Sequence, residues 1–149
     1  MSILLVAKVI HVLAVITAVG TSVTSVLWLR RAGRDRDRLV WMLDGTRWFD
    51  RRVANPAYIV VLLSGIVMVS VGGYRFDQGW IAVAIALYVF VAIFGIVVFA
   101  PAVRVQRAEA AADPSSPAYT RIARRTWRYS WLTTAIVVVI VILMVTKPF

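Results

Sequence analysis

The residue best suited to chemistry in this chain is its single histidine, His11, which lies in a long apolar stretch from Ile3 to Leu29. Imidazole binds haem iron and transition metals, and an ionisable group inside a bilayer is costly and often functional. Lys8 precedes it by about one helical turn, where its ammonium group could meet a haem propionate or extend to the surface. We therefore take His11 as a candidate haem or metal ligand and Lys8 as a candidate cofactor-binding residue. The alternative is a neutral His11 hydrogen-bonded within a helical bundle.

Small and polar residues share one face of this stretch when it is read as a helix. Steps of four and three residues from Ala7 reach His11, Ala14, Ala18, Thr21 and Ser25. Burying an apolar face brings no gain in lipid, so small and weakly polar residues mark the places where membrane helices meet. The pattern predicts that this face, with His11 on it, points into a bundle. Two more pairs of small residues predict close contacts on the second and third helices: Ser64 with Gly65, and Ala82 with Ala86.

The spacing of charges predicts how often the chain crosses a membrane. Between Lys8 and Lys147, four gaps of 18 to 26 residues carry no charge. About 20 apolar residues cross the hydrocarbon core, and the mean hydropathy of +0.82 agrees with a membrane protein. We expect an all-α membrane protein in which residues 1–149 form one transmembrane domain. Its four helices are expected at about 3–29, 53–72, 80–103 and 129–147. In the second, Asn55 is expected to cap the N-terminus and Pro56 to lie in the first turn, so that its capped part begins near Pro56.

The net charge of +10 is concentrated in two connectors, residues 30–52 and 104–128. Positively charged loops stay in the cytoplasm, so both connectors are predicted to be cytoplasmic and both chain termini outside. Residues 39–49 mix tryptophans with charges and predict a short amphipathic helix on the cytoplasmic surface. Arginines beside helix ends bind anionic lipid headgroups, and no recognition motif points to nucleic acid. The arginines are Arg30, Arg31, Arg34, Arg36, Arg38, Arg47, Arg51, Arg52, Arg104, Arg107, Arg121, Arg124, Arg125 and Arg128.

Several kinds of chemistry are excluded by what the chain lacks. It has no cysteine, which rules out disulfides, thiolate nucleophiles and iron–sulfur clusters. No acidic residue lies inside the four uncharged gaps, so a carboxylate relay through the membrane is absent. Ser64, Ser70 and Thr133 have no histidine–aspartate partners in the sequence and are interpreted as packing residues. No catalytic residue is assigned, and whether the protein is an enzyme is left open.

Four short motifs resemble one family. They are K-V-I-H at Lys8–His11, W-L-R at Trp28–Arg30, W-F-D at Trp48–Asp50 and L-M-V-T-K-P at Leu143–Pro148. Together they are similar to domain of unknown function 2269, a family of small bacterial membrane proteins with four helices. This resemblance implies the bacterial cytoplasmic membrane. The first helix alone also resembles membrane protoporphyrinogen oxidases and copper-resistance D-like proteins, which implies b-type haem or copper and a role for the histidine.

Three functions are consistent with these observations. The first is a haem- or metal-binding redox or haem-handling protein centred on His11, with haem b as the cofactor. A second axial ligand would then come from Met68, Met144 or His11 of a second protomer. The second function is a non-catalytic structural or accessory subunit that acts through its arginine-rich connectors, as a homo-oligomer or in a larger membrane complex. The third, a small transporter, is disfavoured because no complete path of buried charge is present.

Overall fold

The computed structural model describes residues 2–148 as six α-helices joined into four long rods. Met1 and Phe149, which belong to the predicted domain 1–149 and to the predicted outside termini, lie outside the described residues. The helices are α1 (Ile3–Arg31), α2 (Arg36–Phe49), α3 (Asn55–Val71), α4 (Gly79–Phe94), α5 (Ala100–Ala112) and α6 (Pro117–Thr146). Short π-helical turns fuse α2 to α3 and α4 to α5. All four rods are long and apolar enough to cross a membrane, which confirms the predicted fold class.

Each π-helical turn lies just before a proline. Asp50–Ala54 precedes Pro56, and Gly95–Phe99 precedes Pro101. A proline inside a helix has no N–H to donate, and its ring clashes with the carbonyl four residues earlier. Widening the preceding turn relieves that clash, and the N–H of Asn55 accordingly bonds to the carbonyl of Asp50, five residues back. The prediction that Asn55 caps a new helix at Pro56 is therefore wrong, because the helix continues through both residues.

Local capping explains where the other helices begin. Asp35 accepts a hydrogen bond from the N–H of Arg38 at 2.9 Å and starts α2. Ser116 accepts from the N–H of Tyr119 at 3.0 Å, with Pro117 in the first turn, and starts α6. We expected the fourth helix only from about residue 129. It begins three turns earlier because this serine–proline cap comes directly after the loop at Asp113.

The two arginine-rich connectors fold together at one end of the bundle. This basic end, residues 30–52 and 104–128, has its own small core of Ala32, Leu39, Leu43, Ala110 and Tyr119. Arg107 forms a two-pronged salt bridge with Asp44 across it. The predicted amphipathic segment is thus part of α2, with Leu39 and Leu43 fully buried against protein. Its predicted location on the cytoplasmic membrane surface stays a prediction.

Aromatic and basic side chains join at the opposite end. The ammonium group of Lys147, at the end of α6, donates to the Tyr74 hydroxyl at 2.6 Å and lies near the Trp80 ring. This hydrogen bond, with smaller help from the charge of Lys8, holds the pKa of Tyr74 below its usual value. The contact ties the end of α6 to the turn between α3 and α4. Lys8 is thereby placed near this end of the bundle.

Candidate functional site

His11 lies between α1 and α3, half-buried, on the face that the sequence predicted. Its Nδ1 is 3.0 Å from the hydroxyl oxygen of Ser64. The Ser64 hydroxyl has one hydrogen to donate. Its oxygen lies 2.5 Å from the carbonyl oxygen of Val60 on the same helix. Ser64 therefore donates to Val60 and accepts from Nδ1–H, which leaves the lone pair of His11 on Nε2.

The predicted seam along α1 is confirmed from Ala7 to Ala18, whereas Thr21 and Ser25 are only partly buried. Ala7, Ala14 and Ala18 are the buried residues of this helix, and Ala18 has no exposed surface. On the facing helix, a methyl group added to Gly65 would lie 3.4 Å from Cε1 of His11. The ring therefore occupies the space that Gly65 leaves by having no side chain. Ser64 and Gly65 together form the surface that receives His11.

Lys8 and His11 have different neighbours. Lys8 is exposed and near Tyr74, whereas His11 points toward α3. Two cavities at the basic end of the bundle are lined by other residues. Among residues 2–148 no group of three histidine, aspartate or glutamate side chains is placed to hold a metal ion. The assignment of these two residues to a cofactor therefore stays a prediction.

A cavity of about 280 Å³ opens in the basic end, between α1, α2, α5 and α6. It reaches from Arg30 inward to Ser22, which is eight residues or about 12 Å along α1. Beyond Ser22 the seam is closed by Ala18. Seven serine and threonine side chains line this cavity, together with the Tyr119 phenol: Ser22, Ser25, Thr46, Thr126, Ser130, Thr133 and Thr134.

Most of these hydroxyls donate their hydrogen to the backbone of their own helix. Ser22 bonds to the carbonyl of Ala18 at 3.0 Å and Ser25 to that of Thr21 at 2.9 Å. Thr46, Ser130 and Thr133 do the same four residues back. Such bonding leaves the oxygen lone pairs as the groups that face the space. The wall of the cavity is therefore rich in hydrogen-bond acceptors.

Both π-helical turns contribute to this cavity. Asp50, the first residue of one turn, and Phe99, the last residue of the other, belong to the lining. Within residues 2–148 no lysine or arginine nitrogen lies within 4.0 Å of the Asp50 carboxylate, and no hydrogen bond engages it. At the mouth, the Arg30 guanidinium stacks 5.4 Å above the Trp127 ring. The cavity thus combines a free carboxylate inside with a guanidinium at its edge.

The sequence interpretation missed this cavity. Ser25 and Thr133 were assigned to helix packing, and Asp50 was noted only as part of the connector and of the W-F-D motif. The available signal was the clustering of hydroxyl residues at the connector ends of the first and fourth apolar stretches, beside the W-F-D motif. The cavity was not predicted because the second helix was expected to start at Pro56, which would leave Asp50 outside the bundle.

A second feature of the basic end is an open groove along α6. Four arginines line it with Ser115, Thr120 and Tyr129, and its volume is about 800 Å³. All four are exposed, and none has a carboxylate oxygen within 4.0 Å in the described part of the chain. We call this the arginine face; it consists of Arg121, Arg124, Arg125 and Arg128.

The comparisons with known proteins give a family but no activity. The family described as predicted integral membrane protein, domain of unknown function 2269, matches residues 5–148. No curated protein and no solved structure matches the chain. The match covers nearly the whole sequence, in agreement with the motifs from Lys8 to Pro148. The chain therefore belongs to this family of predicted integral membrane proteins.

Proposed function

We propose that the protein is a non-catalytic accessory membrane protein whose basic end binds the anionic headgroups of phospholipids. The observation that carries this proposal is the arginine face on α6. Residues three and four apart on a helix are neighbours, so Arg121, Arg124, Arg125 and Arg128 repel one another. Because no carboxylate oxygen of residues 2–148 lies within 4.0 Å of these guanidinium groups, bound phosphate groups would relieve this repulsion and accept paired N–H bonds.

The packing of the basic end supports the proposal. α2, α5 and the first turns of α6 bury Leu39 and Leu43 in a common core. The Arg36 side chain also donates to the Ala111 carbonyl at 2.6 Å, which joins the two connectors. A stiff scaffold keeps the guanidinium groups in a fixed arrangement, and less side-chain freedom is lost on binding. Flexible loops would give a weaker and less selective basic surface.

We further propose that the protein lies in the bacterial cytoplasmic membrane with both termini outside. The segregation of charge supports this orientation. The 14 connector arginines belong to one end of the bundle, while Lys8, Arg75 and Lys147 belong to the other. Positively charged segments stay on the cytoplasmic side, where anionic lipids also attract them. The test is a reporter that is active only in the cytoplasm, fused after residue 149. Activity of this fusion would overturn the proposed orientation.

The lipid proposal is tested by thermal unfolding in nanodiscs of phosphatidylglycerol or of phosphatidylcholine. A basic residue near an anionic surface contributes about 1 kcal/mol, so we expect about 4 kcal/mol from four arginines. Phosphatidylglycerol should raise the unfolding temperature of the natural protein. Changing all four residues of the arginine face to glutamine should remove most of this gain.

The matched control removes the same charge elsewhere at the basic end. Arg31, Arg34, Arg38 and Arg52 are exposed and lie off the arginine face. Their change to glutamine should leave most of the phosphatidylglycerol effect in place. Equal responses in the natural protein and the arginine-face variant would overturn the proposal.

Haem or metal binding at His11 is a second candidate, favoured by one specific observation. Because Nδ1–H donates to Ser64, the Nε2 lone pair is the one available to a metal. The hydrogen bond would also orient the ring, as partners of metal-bound histidines do. We place this candidate second because His11 lines neither of the two cavities at the basic end. A Soret band that is lost in His11→Ala and kept in Lys8→Gln would move it to first place.

A further inference from the structure

We propose that the cavity at the basic end binds a zwitterionic ligand of the phosphoethanolamine class, with its ammonium group on Asp50 and its phosphate at Arg30. This site is separate from the arginine face. The proposal rests on the chemistry of the cavity wall and on the position of its two charged residues. Neither feature depends on how the arginine face binds lipid.

The hydroxyl oxygens and the carboxylate that line the cavity favour a ligand group that donates hydrogen bonds. Ser25, Ser130 and Thr133 donate their hydrogens to backbone carbonyls, so their oxygens keep lone pairs that can accept hydrogen bonds. The Asp50 carboxylate can only accept hydrogen bonds when ionised. An ammonium group carries three donors and no acceptor, which matches such a wall.

The surroundings require that the ligand also carry a negative charge. The cavity opens within the arginine-rich end, whose field repels a simple cation. Arg30 at the mouth supplies a guanidinium group whose central carbon lies over the Trp127 ring, 5.4 Å from its centre. Guanidinium groups bind phosphate through paired N–H bonds. A ligand with an ammonium group inside and a phosphate at the mouth therefore satisfies both ends.

The size of the cavity limits the ligand to a small group. Its volume of about 280 Å³ is slightly below the usual range for ligand sites, which begins at about 300 Å³. Phosphoethanolamine can arrive as the headgroup of phosphatidylethanolamine or as the free molecule. The two sources share the same chemistry, so the experiment has to distinguish them. π-helical turns, which here bring Asp50 and Phe99 to the cavity, are frequent at functional sites.

The first test is a titration of the detergent-purified protein with free phosphoethanolamine, followed by the shift in unfolding temperature. The same measurement is made in nanodiscs of phosphatidylcholine with and without phosphatidylethanolamine. Binding of the free molecule, or stabilisation by phosphatidylethanolamine alone, supports the proposal and identifies the source. No response to either one overturns it.

The second test removes the charge of Asp50 without changing its shape. Asp50→Asn should weaken binding roughly 30-fold or more, because the ammonium loses its ionic partner. Asp37→Asn is the matched control, since Asp37 is exposed on α2 outside the cavity. Phosphoglycerol, which lacks the ammonium group, should show no dependence on Asp50.

A third variant keeps the test decisive if Asp50→Asn folds poorly. Arg30→Gln changes an exposed residue at the cavity mouth and should weaken the binding of phosphoethanolamine but not its dependence on Asp50. The arginine-face variant should bind phosphoethanolamine as the natural protein does. Unchanged affinity in both Asp50→Asn and Arg30→Gln would overturn the proposal, whatever the arginine face does.

Discussion

Two regions along the same helix, α1, differ in how closely their neighbours approach. Between Ala7 and Ala18 the helix presents alanines and His11, and α3 packs directly against it. Between Ser22 and Arg30 it presents hydroxyls, and the neighbouring helices leave a cavity of about 280 Å³. Small residues mark both regions in the sequence. What separates them is the pair of π-helical turns before Pro56 and Pro101, which lie beside the second region only.

The comparison shows that polar residues in this bundle serve packing in the closed seam and line a cavity in the open region. In the closed seam, His11 lies 3.0 Å from the Ser64 hydroxyl and fills the space beside Gly65. In the open region, the hydroxyls of Ser25, Ser130 and Thr133, which donate to their own helices, line a common space with the Asp50 carboxylate. The first arrangement is closely packed. The second is the one that a ligand would complete.

The largest expected effect comes from adding bulk to the closed seam. Ala18→Phe should destabilise the protein by about 1–3 kcal/mol, because a packed interface has no room for extra atoms. Ser25→Leu, seven residues along the same face, should cost much less because the cavity can receive the side chain. The measurement is the free energy of unfolding in detergent, with Ala135→Phe on the exposed face of α6 as control. Equal costs at residues 18 and 25 would remove the distinction between the two regions.

A smaller effect is expected where a buried hydrogen bond supports the cavity wall. Thr126 donates to Oε1 of Gln106 at 2.7 Å, and both residues are buried. Thr126→Val should cost about 1–2 kcal/mol, because the amide oxygen loses its donor inside the protein. Thr146→Val is the matched control, since that exposed hydroxyl bonds only to its own helix at Ile142. A loss no greater than in the control would mean that water replaces the bond.

The smallest of these effects concerns the hydrogen bond of His11. Ser64→Ala should cost about 0.6 kcal/mol, the average for a bond between membrane helices. Ser70→Ala on the same helix is the control, because Ser70 is exposed and bonds to Ile66 of its own backbone. A cost above that of Ala18→Phe would show that the bond, rather than close packing, holds α1 to α3.

The sequence was sufficient to predict the seam because its signal is local. One helix face carries the small residues, and the facing pair, Ser64 and Gly65, is visible in the second apolar stretch. The predicted close contact at Ala82 and Ala86 on the third helix is wrong, because both residues are exposed. Ile81 and Ala84 are the residues buried there. Alanines occur there on more than one face, so spacing alone does not identify the face that packs.

The cavity could not be predicted because it depends on the relative positions of four helices. Asp50 enters the bundle only because the helix continues through Asn55 and Pro56, against their usual role at a helix start. Its distance from Ser22 and Thr133 is a property of the packed structure. The arginine face was partly visible, since the spacing of Arg121, Arg124, Arg125 and Arg128 fits one side of a helix. The early start of α6 at Pro117 was needed to place these arginines on a single helix.

Cysteine accessibility tests the difference between the closed seam and the open cavity most directly. The chain has no cysteine, so Ala18→Cys and Ser25→Cys each introduce a single thiol. A water-soluble thiol reagent added from the side of the basic end should label Cys at residue 25, which lines the cavity. The same reagent should fail to label Cys at residue 18, which is fully buried. Labelling of both thiols, or of residue 18 alone, would contradict the account.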